Sequence, residues 1–351
     1  MSKTTIIKNE QALREILPAY PAIMDKRIKS ELDTFSLEFI NQASVAVLAF
    51  NQGGIAMEYL DLKTCNFTVS SNNRLQITFP HNKTQLNTNR SHCSLYFLIP
   101  GVGHGLRVNG HTVTSTYQKE NQQQSLSIFI DQVYVHCSRA IVRSGLWKGD
   151  NQPIYEHDIN LLNNMKGSLN SLTEDSRAFI KYAPVLFLKT QDQHNCSDLS
   201  PRGDPVNIAN IIDNKTLLIA ERAGNKVAKS MRNILINPYA TISFLIPGVV
   251  NSLTISGTAQ VTSCPEKLTP LTIDKKTPKL GILIHVDNVE FNPCPGLSSS
   301  DLWNPKKHIS EKSLTPFSKV LSYHMNGTGL LGKASSPIIG AIVRHDLKNL
   351  Y

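Results

Sequence analysis

Two stretches of the chain nearly repeat each other: Ser94–Val113, SLYFLIPGVGHGLRVNGHTV, and Thr241–Val261, TISFLIPGVVNSLTISGTAQV. Phe97 and Phe244 lie 147 residues apart. Working outward, VLAF at Val47 aligns with VLFL at Val185 at a separation of 138, and Asn82-Lys83 with Asn225-Lys226 at 143. Trp147 aligns with Trp303 at 156, and these are the two tryptophans of the chain. Ordered matches at rising separation predict a duplicated domain of roughly 150 residues. Each copy opens with a helical pattern (SLEFINQ, EDSRAFIKYA) and continues as short β-branched strands broken by Gly, Pro and Asn. The fold class expected is mainly β with α (α+β), built from two tandem antiparallel barrels with Greek-key connections rather than a doubly wound sheet. The expected divisions are 1–150, 151–305 and a C-terminal helical extension, 306–351, with helices at PFSKVLSYHM and GAIVRHDL.

With 351 residues, 40% apolar and 18% charged, the composition is that of a folded globular protein, with room for two cores. No apolar run approaches the roughly 20 residues of a membrane helix. The opening MSKTTIIKNEQALREIL turns polar at once, so a cytoplasmic chain without membrane contact is expected. Six cysteines lie far apart with no Cys-x-x-Cys and read as reduced thiols. The net charge of +9 favours anionic partners. No helix-turn-helix, zinc finger or RNA-binding aromatic motif accompanies it, so nucleic acid is not expected.

The charge concentrates in Ala220–Pro238, AERAGNKVAKSMRNILINP. Val227, Met231, Ile234 and Leu235 form one apolar helical face, with a start signal at Gly224-Asn225 and a stop at Asn237-Pro238. Arg222, Lys226, Lys229 and Arg232 crowd its first turns, where the helix dipole disfavours cations. A bound phosphate would reverse that penalty; a solvated basic face is the plainer alternative. Other motifs fail on context. GVGHG at Gly101–Gly105 lies between strands, with no helix after it, and reads as a hairpin turn. His194-x-Cys196 and His92-Cys93 lack zinc-site spacing, and no metal is expected. No Gly-x-Ser-x-Gly elbow is present.

The ordered run SPRGDP, TLLIAERAGNKVAKSMRNILINP, FLIPG and LTISG resembles the pyridoxamine-phosphate-oxidase-like flavoproteins, the FMN-binding split-barrel superfamily, from about Glu10 to Pro305. The resemblance implies FMN as cofactor, its phosphate on Arg222, Asn225 and Lys226. It places Ser200, Arg202, Gly203 and Asp204 along the ribityl chain and ring, Ile219 and Ala220 on a strand passing the phosphate, and Ser252 near the ring. HCSRAIVRSGLW in copy one matches the family's closing segment through His136, Cys137, Arg139, Arg143, Ser144 and Trp147, whereas copy two has NPCPGLSSSDLW and keeps only Leu-Trp. Ala223 stands where the family has proline. By residue type alone, His136 and Cys137 also fit a strand end in a core, and Trp147 and Trp303 fit packing anchors.

Family members build each site between two protomers. The resemblance therefore implies an intrachain pseudodimer of two split barrels with one complete site, copy two supplying the phosphate half and copy one the closing half. The implied activity is FMN-dependent oxidoreductase chemistry, hydride passing between flavin and a small organic substrate or NAD(P)H. His136 is expected to be poised near neutral pH for proton transfer, and Arg139 to hold an anionic substrate. Two other classes stay open: a flavin-, F420- or haem-binding module without turnover, and a cofactor-free interaction protein. Monomeric pseudodimer and homodimer are both compatible with the chain.

Overall fold

Continuous apolar runs such as Val45–Phe50 and alternating ones such as Arg74–Pro80 fold as antiparallel strands. The computed structural model describes residues 6–51, 57–80, 90–148, 156–224 and 226–351. Asn82-Lys83, Asn225 and the expected boundary at 150 and 151 lie outside them. In chain order the first half runs β1 (Ile6–Ile7), α1 (Glu10–Ile16), α2 (Thr34–Gln42), β2 (Val45–Phe50), β3 (Glu58–Asp61), β4 (Asn66–Ser71), β5 (Arg74–Pro80), β6 (His92–Leu98), β7 (Gly105–Gln118), β8 (Gln123–His136) and α3 (Arg139–Arg143). The second runs α4 (Glu156–Asn164), β9 (Gly167–Leu169), α5 (Glu174–Tyr182), β10 (Val185–Gln191), β11 (Ser197–Gly203), β12 (Ala209–Ile211), β13 (Thr216–Glu221), α6 (Lys229–Ile236), β14 (Tyr239–Leu245), β15 (Asn251–Thr262), α7 (Pro265–Leu268), β16 (Leu280–Pro293) and α8 (Pro295–Ser299). Helices α9 (Phe317–Asn326) and α10 (Leu330–Lys348) follow.

The chain is mainly β with helices, and its two curled antiparallel sheets have the same strand order. One is β3-β2-β6-β7-β8-β5-β4 and the other β11-β10-β14-β15-β16-β13-β12. Register corrects one alignment made on the sequence. Val45 pairs with Leu98 and Val185 with Leu245, so Val185 corresponds to Val45 rather than to Val47. Likewise EYLD and SPRG occupy corresponding edge strands, Asp61 opposite Val45 and Gly203 opposite Val185.

The unbroken apolar run of β2 has a physical cause: both of its faces are buried. Ala46, Leu48 and Phe50 enter the first sheet's own core, while Val45, Val47 and Ala49 meet Val185, Phe187, Leu199 and Leu245 of the second sheet in a shared core. The expected divisions blur at the edges. β1 pairs with β15, and Leu13 of α1 lies in the second sheet's core; Leu314 and Val320 from the C-terminal extension lie in the first. Each sheet also carries a bulge at the same place. Register jumps between Asn109 and Gly110, leaving Asp131 opposite no residue, and between Ser256 and Gly257, leaving Asp287 so. A Cβ on Gly110 would fall on the Phe129 carbonyl oxygen, and one on Gly257 on that of His285, which explains glycine at both.

The C-terminal helices are where expected, but α10 starts at Leu330, well before GAIVRHDL, and carries Pro337 inside it. All six cysteines are free thiols. Among the described residues no helix is long and apolar enough to cross a membrane.

Candidate functional site

β11 ends the shared core with alternate residues turned the other way, so Asp198, Ser200 and Arg202 line one wall of a cleft. The end of β13 adds Glu221 and Arg222, and the start of α6 adds Lys226, Lys229 and Ser230. The opposite wall belongs to the first sheet: Arg107 of β7, Tyr134 and His136 of β8, and Arg139 and Arg143 of α3, with Arg27 above them. The cleft holds about 940 Å³ of space, open solvent included. Both halves of the chain build it.

Charge is the dominant property of this cleft. Among the described residues eight cations line it (Arg27, Arg107, Arg139, Arg143, Arg202, Arg222, Lys226 and Lys229) against three carboxylates, Asp25, Asp198 and Glu221. Several cations are tied. Arg107 and Asp198 form a buried ion pair between the halves, Arg202 pairs with Glu221, and Arg139 meets Asp346 at 2.6 Å. Asp204, buried behind the cleft, takes Arg222 at 2.8 Å and Arg143 at 3.1 Å. Burial pushes the Asp204 carboxyl up despite the pull of both guanidinium groups. At Asp198 the balance goes the other way: burial opposes ionisation, but Arg107 and Lys229 overcome it and hold the carboxyl at about 2. Donors remain over. Arg27 Nε, Arg107 Nε, Arg202 Nε and Arg222 Nη2 are buried without a hydrogen-bond partner among the described residues. Such groups are costly unless something accepts from them.

The cationic helix starts later than its sequence suggests. α6 begins at Lys229, because Lys226 (φ 61) and Ala228 (φ 56) take left-handed backbone that a helix cannot pass through. Lys226 is therefore an exposed loop residue, not the first helical one. Among the described residues no side chain caps α6 at Ala228, so the helix starts uncapped beside Lys229 and Ser230.

The structure brings together His136, Arg139, Arg143, Ser200, Arg202, Arg222 and Lys226 in this one cleft. Other expected residues lie elsewhere. Gly203 is a packing point, since a Cβ there would fall on the Ala140 carbonyl oxygen of α3, and its own carbonyl accepts from Arg143 Nε at 2.7 Å. Ile219 is in the second core, and Ala220 packs on Leu268 and Leu271. Ser144 is buried, its hydroxyl donating to the Ile141 carbonyl at 2.7 Å. Trp147 donates Nε1 to Val102 O at 2.8 Å and faces Trp303, ring centroids 6.2 Å apart, so it is a packing anchor. Ser252 is not among the cleft's lining residues: it is buried, accepting from Cys294 Sγ at 3.3 Å, and Cys294 lines a different hollow. His136 is not poised near neutrality. Burial first, then Arg107 and Arg27, drives its pKa well below the usual imidazole range.

Arg27, Arg107, Tyr134 and Asp198 belong to the site but were not singled out from sequence. Arg107 offered one signal: a charged residue flanked by the apolar Leu106 and Val108. Also unforeseen is Tyr351, whose ring lies 5.9 Å from the Arg143 guanidinium and 5.5 Å from that of Arg222. The corresponding hollow on the other side of the interface, around Tyr59, Asn292 and Cys294, has no lysine or arginine among its described lining residues.

Residues 172–291 match the family model for pyridoxamine 5'-phosphate oxidase, so this part of the chain is similar to that family's domain. No curated protein matches the chain. Similar solved structures include HupZ from Group A Streptococcus (18% identity, 33% of this chain and 89% of that one, TM-score 0.27). General Stress Protein 26 from Bacillus anthracis is another (12% identity, 33% and 89%, TM-score 0.27). A third is the heme storage protein HutZ from Vibrio cholerae (10% identity, 34% and 94%, TM-score 0.26). At these TM-scores none of the three bears on what the chain does.

Proposed function

We propose that the chain is an FMN-dependent oxidoreductase with one composite cofactor site, hydride passing between the flavin and a small organic substrate or NAD(P)H. The observation that carries this reading is the surplus of cleft donors without acceptors: eight cations against three carboxylates, with Arg222 Nη2 and Arg202 Nε buried and unpartnered. An anion with several acceptor oxygens satisfies them, and the open N-terminus of α6 beside Lys226 and Lys229 suits a phosphate.

Bound flavin supplies the two-electron chemistry. The residues of the chain do the rest. Lys226, Lys229 and the first N–H groups of α6 hold the phosphate. Arg202 and Arg139 supply positive charge for a reduced ring or an anionic substrate, and Asp204 positions Arg222 and Arg143 from behind. His136, kept neutral by its surroundings, offers a hydrogen-bonding ring nitrogen to flavin or substrate rather than a standing positive charge, and the same surroundings make it a weak base.

The test is the visible spectrum of the purified protein, with flavin released by denaturation and counted per chain. One FMN per chain is expected, and Lys226→Glu, an exposed substitution that leaves folding intact, is expected to weaken FMN binding about tenfold or more. Two FMN per chain would refute the single composite site. A haem or F420 spectrum, or no uptake of added FMN, would refute the flavin reading.

A further inference from the structure

We propose that His92, His111 and Asp131 form a binding site for a divalent transition-metal ion on the first sheet, independent of the cationic cleft. The three residues come from adjacent strands, β6, β7 and β8. His92 and His111 are direct cross-strand partners, which puts both imidazoles on one face. Asp131 is the residue left over at the β8 bulge, and a bulge re-aims its side chain. Its carboxylate meets His111 Nδ1 at 3.0 Å. The imidazole rings of His92 and His111 lie 5.9 Å apart at 68° to each other. One donor atom from each of the three residues falls within 4.8 Å of the other two.

A zinc-like ion binds nitrogen and carboxylate oxygen at about 2.0–2.2 Å, which puts neighbouring ligand atoms roughly 3.3 Å apart. The His111–Asp131 pair already has that spacing. His92 closes the remainder by turning about its side-chain bonds, since all three groups are partly exposed. Two imidazoles and one carboxylate form a donor set for first-row divalent ions that leaves further positions for water.

The second sheet supplies an internal control. Its corresponding cross-strand pair is Tyr239 and Thr258, and Asp287 is left over at the matching bulge. The fold therefore keeps an aspartate at both bulges, whereas nothing in it demands histidine at the paired positions. The imidazoles are peculiar to the first sheet. Local spacing could not show this, because the ligands are 19 and 20 residues apart along the chain and meet only through strand pairing.

The test uses the full chain without a polyhistidine tag, titrated with Zn²⁺ in a calorimeter and with Co²⁺ in an absorption cell. One Zn²⁺ per chain is expected, with a Co²⁺ spectrum of nitrogen and oxygen ligation. His92→Ala and His111→Ala are expected to weaken binding by roughly 100-fold, a ligand mattering at least as much as the groups that orient it. Asp287→Asn, at the matching bulge, is expected to leave it unchanged. Cys196 lies within electrostatic reach of Asp131, so the Co²⁺ spectrum also separates imidazole from thiolate ligation. No Zn²⁺ binding, a thiolate-to-cobalt charge-transfer band, or an affinity in either histidine variant unchanged from the wild type would overturn the proposal.

Discussion

Gly203 sits where β11 passes under α3, and the absence of a side chain there sets how closely the two halves approach. A Cβ would fall on the Ala140 carbonyl oxygen and lie 2.8 Å from Ser144 Cβ. Gly203→Ala is therefore expected to cost about 1–3 kcal/mol of stability, as overpacking of a tight interior does. A denaturant midpoint lowered to match would show it, and an unchanged midpoint would mean that α3 shifts freely. The same residue shows how far residue types could be read. The resemblance places Gly203 and Asp204 along the ribityl chain and ring; in the fold one is a packing point and the other a buried anchor for two arginines. Sequence marks that a position is unusual; which neighbour makes it so is a fact of tertiary structure.

At the scale of elements, α9 docks on the first half through a buried histidine: His324 Nε2 meets Asp33 Oδ2 at 2.7 Å, and Asp33 also caps α2. Burial opposes the Asp33 charge, but His324 and the Ser36 amide outweigh it and hold the carboxyl at about 2 rather than 3.8. A carboxyl depressed in the folded state contributes stability that is complete above its unfolded pKa and is lost as pH falls through the folded one. The window is therefore about pH 4 down to 2, and the loss about 1–2 kcal/mol once screening at this partly exposed pair is allowed for. Comparing acid unfolding of the wild type with Asp33→Asn checks this: the variant should start less stable and lose less across that window. Helix existence was legible in the periodicity of α2, α5, α6 and α9. The start of α6 was not, because left-handed lysine and alanine have no propensity signature.

At the scale of the whole molecule, Arg107 of the first sheet and Asp198 of the second form an ion pair buried between them. Removing one partner leaves a desolvated charge, so Arg107→Ala is expected to cost about 3–5 kcal/mol. Arg107→Ala with Asp198→Ala should cost less than the sum of the two single changes, and simple additivity in equilibrium unfolding would show that the pair does not couple the halves. Architecture was largely readable from the FLIPG repeats and paired tryptophans, because strand order and packing anchors leave periodic traces. Strand register was not, as the two-residue slip between Val47 and Val45 shows, since alternation is satisfied by any shift of two.

Two sheets of one strand order on one chain have a genetic consequence. In a symmetric homodimer every substitution is written twice, once in each site, so neither surface can change alone. Here a codon change alters one half and leaves the other as it was. Histidines can stand at positions 92 and 111 while tyrosine and threonine stand at the matching 239 and 258, and one side of the interface can gather arginines while the described lining of the other side has none. Joining the halves covalently frees each from mirroring the other.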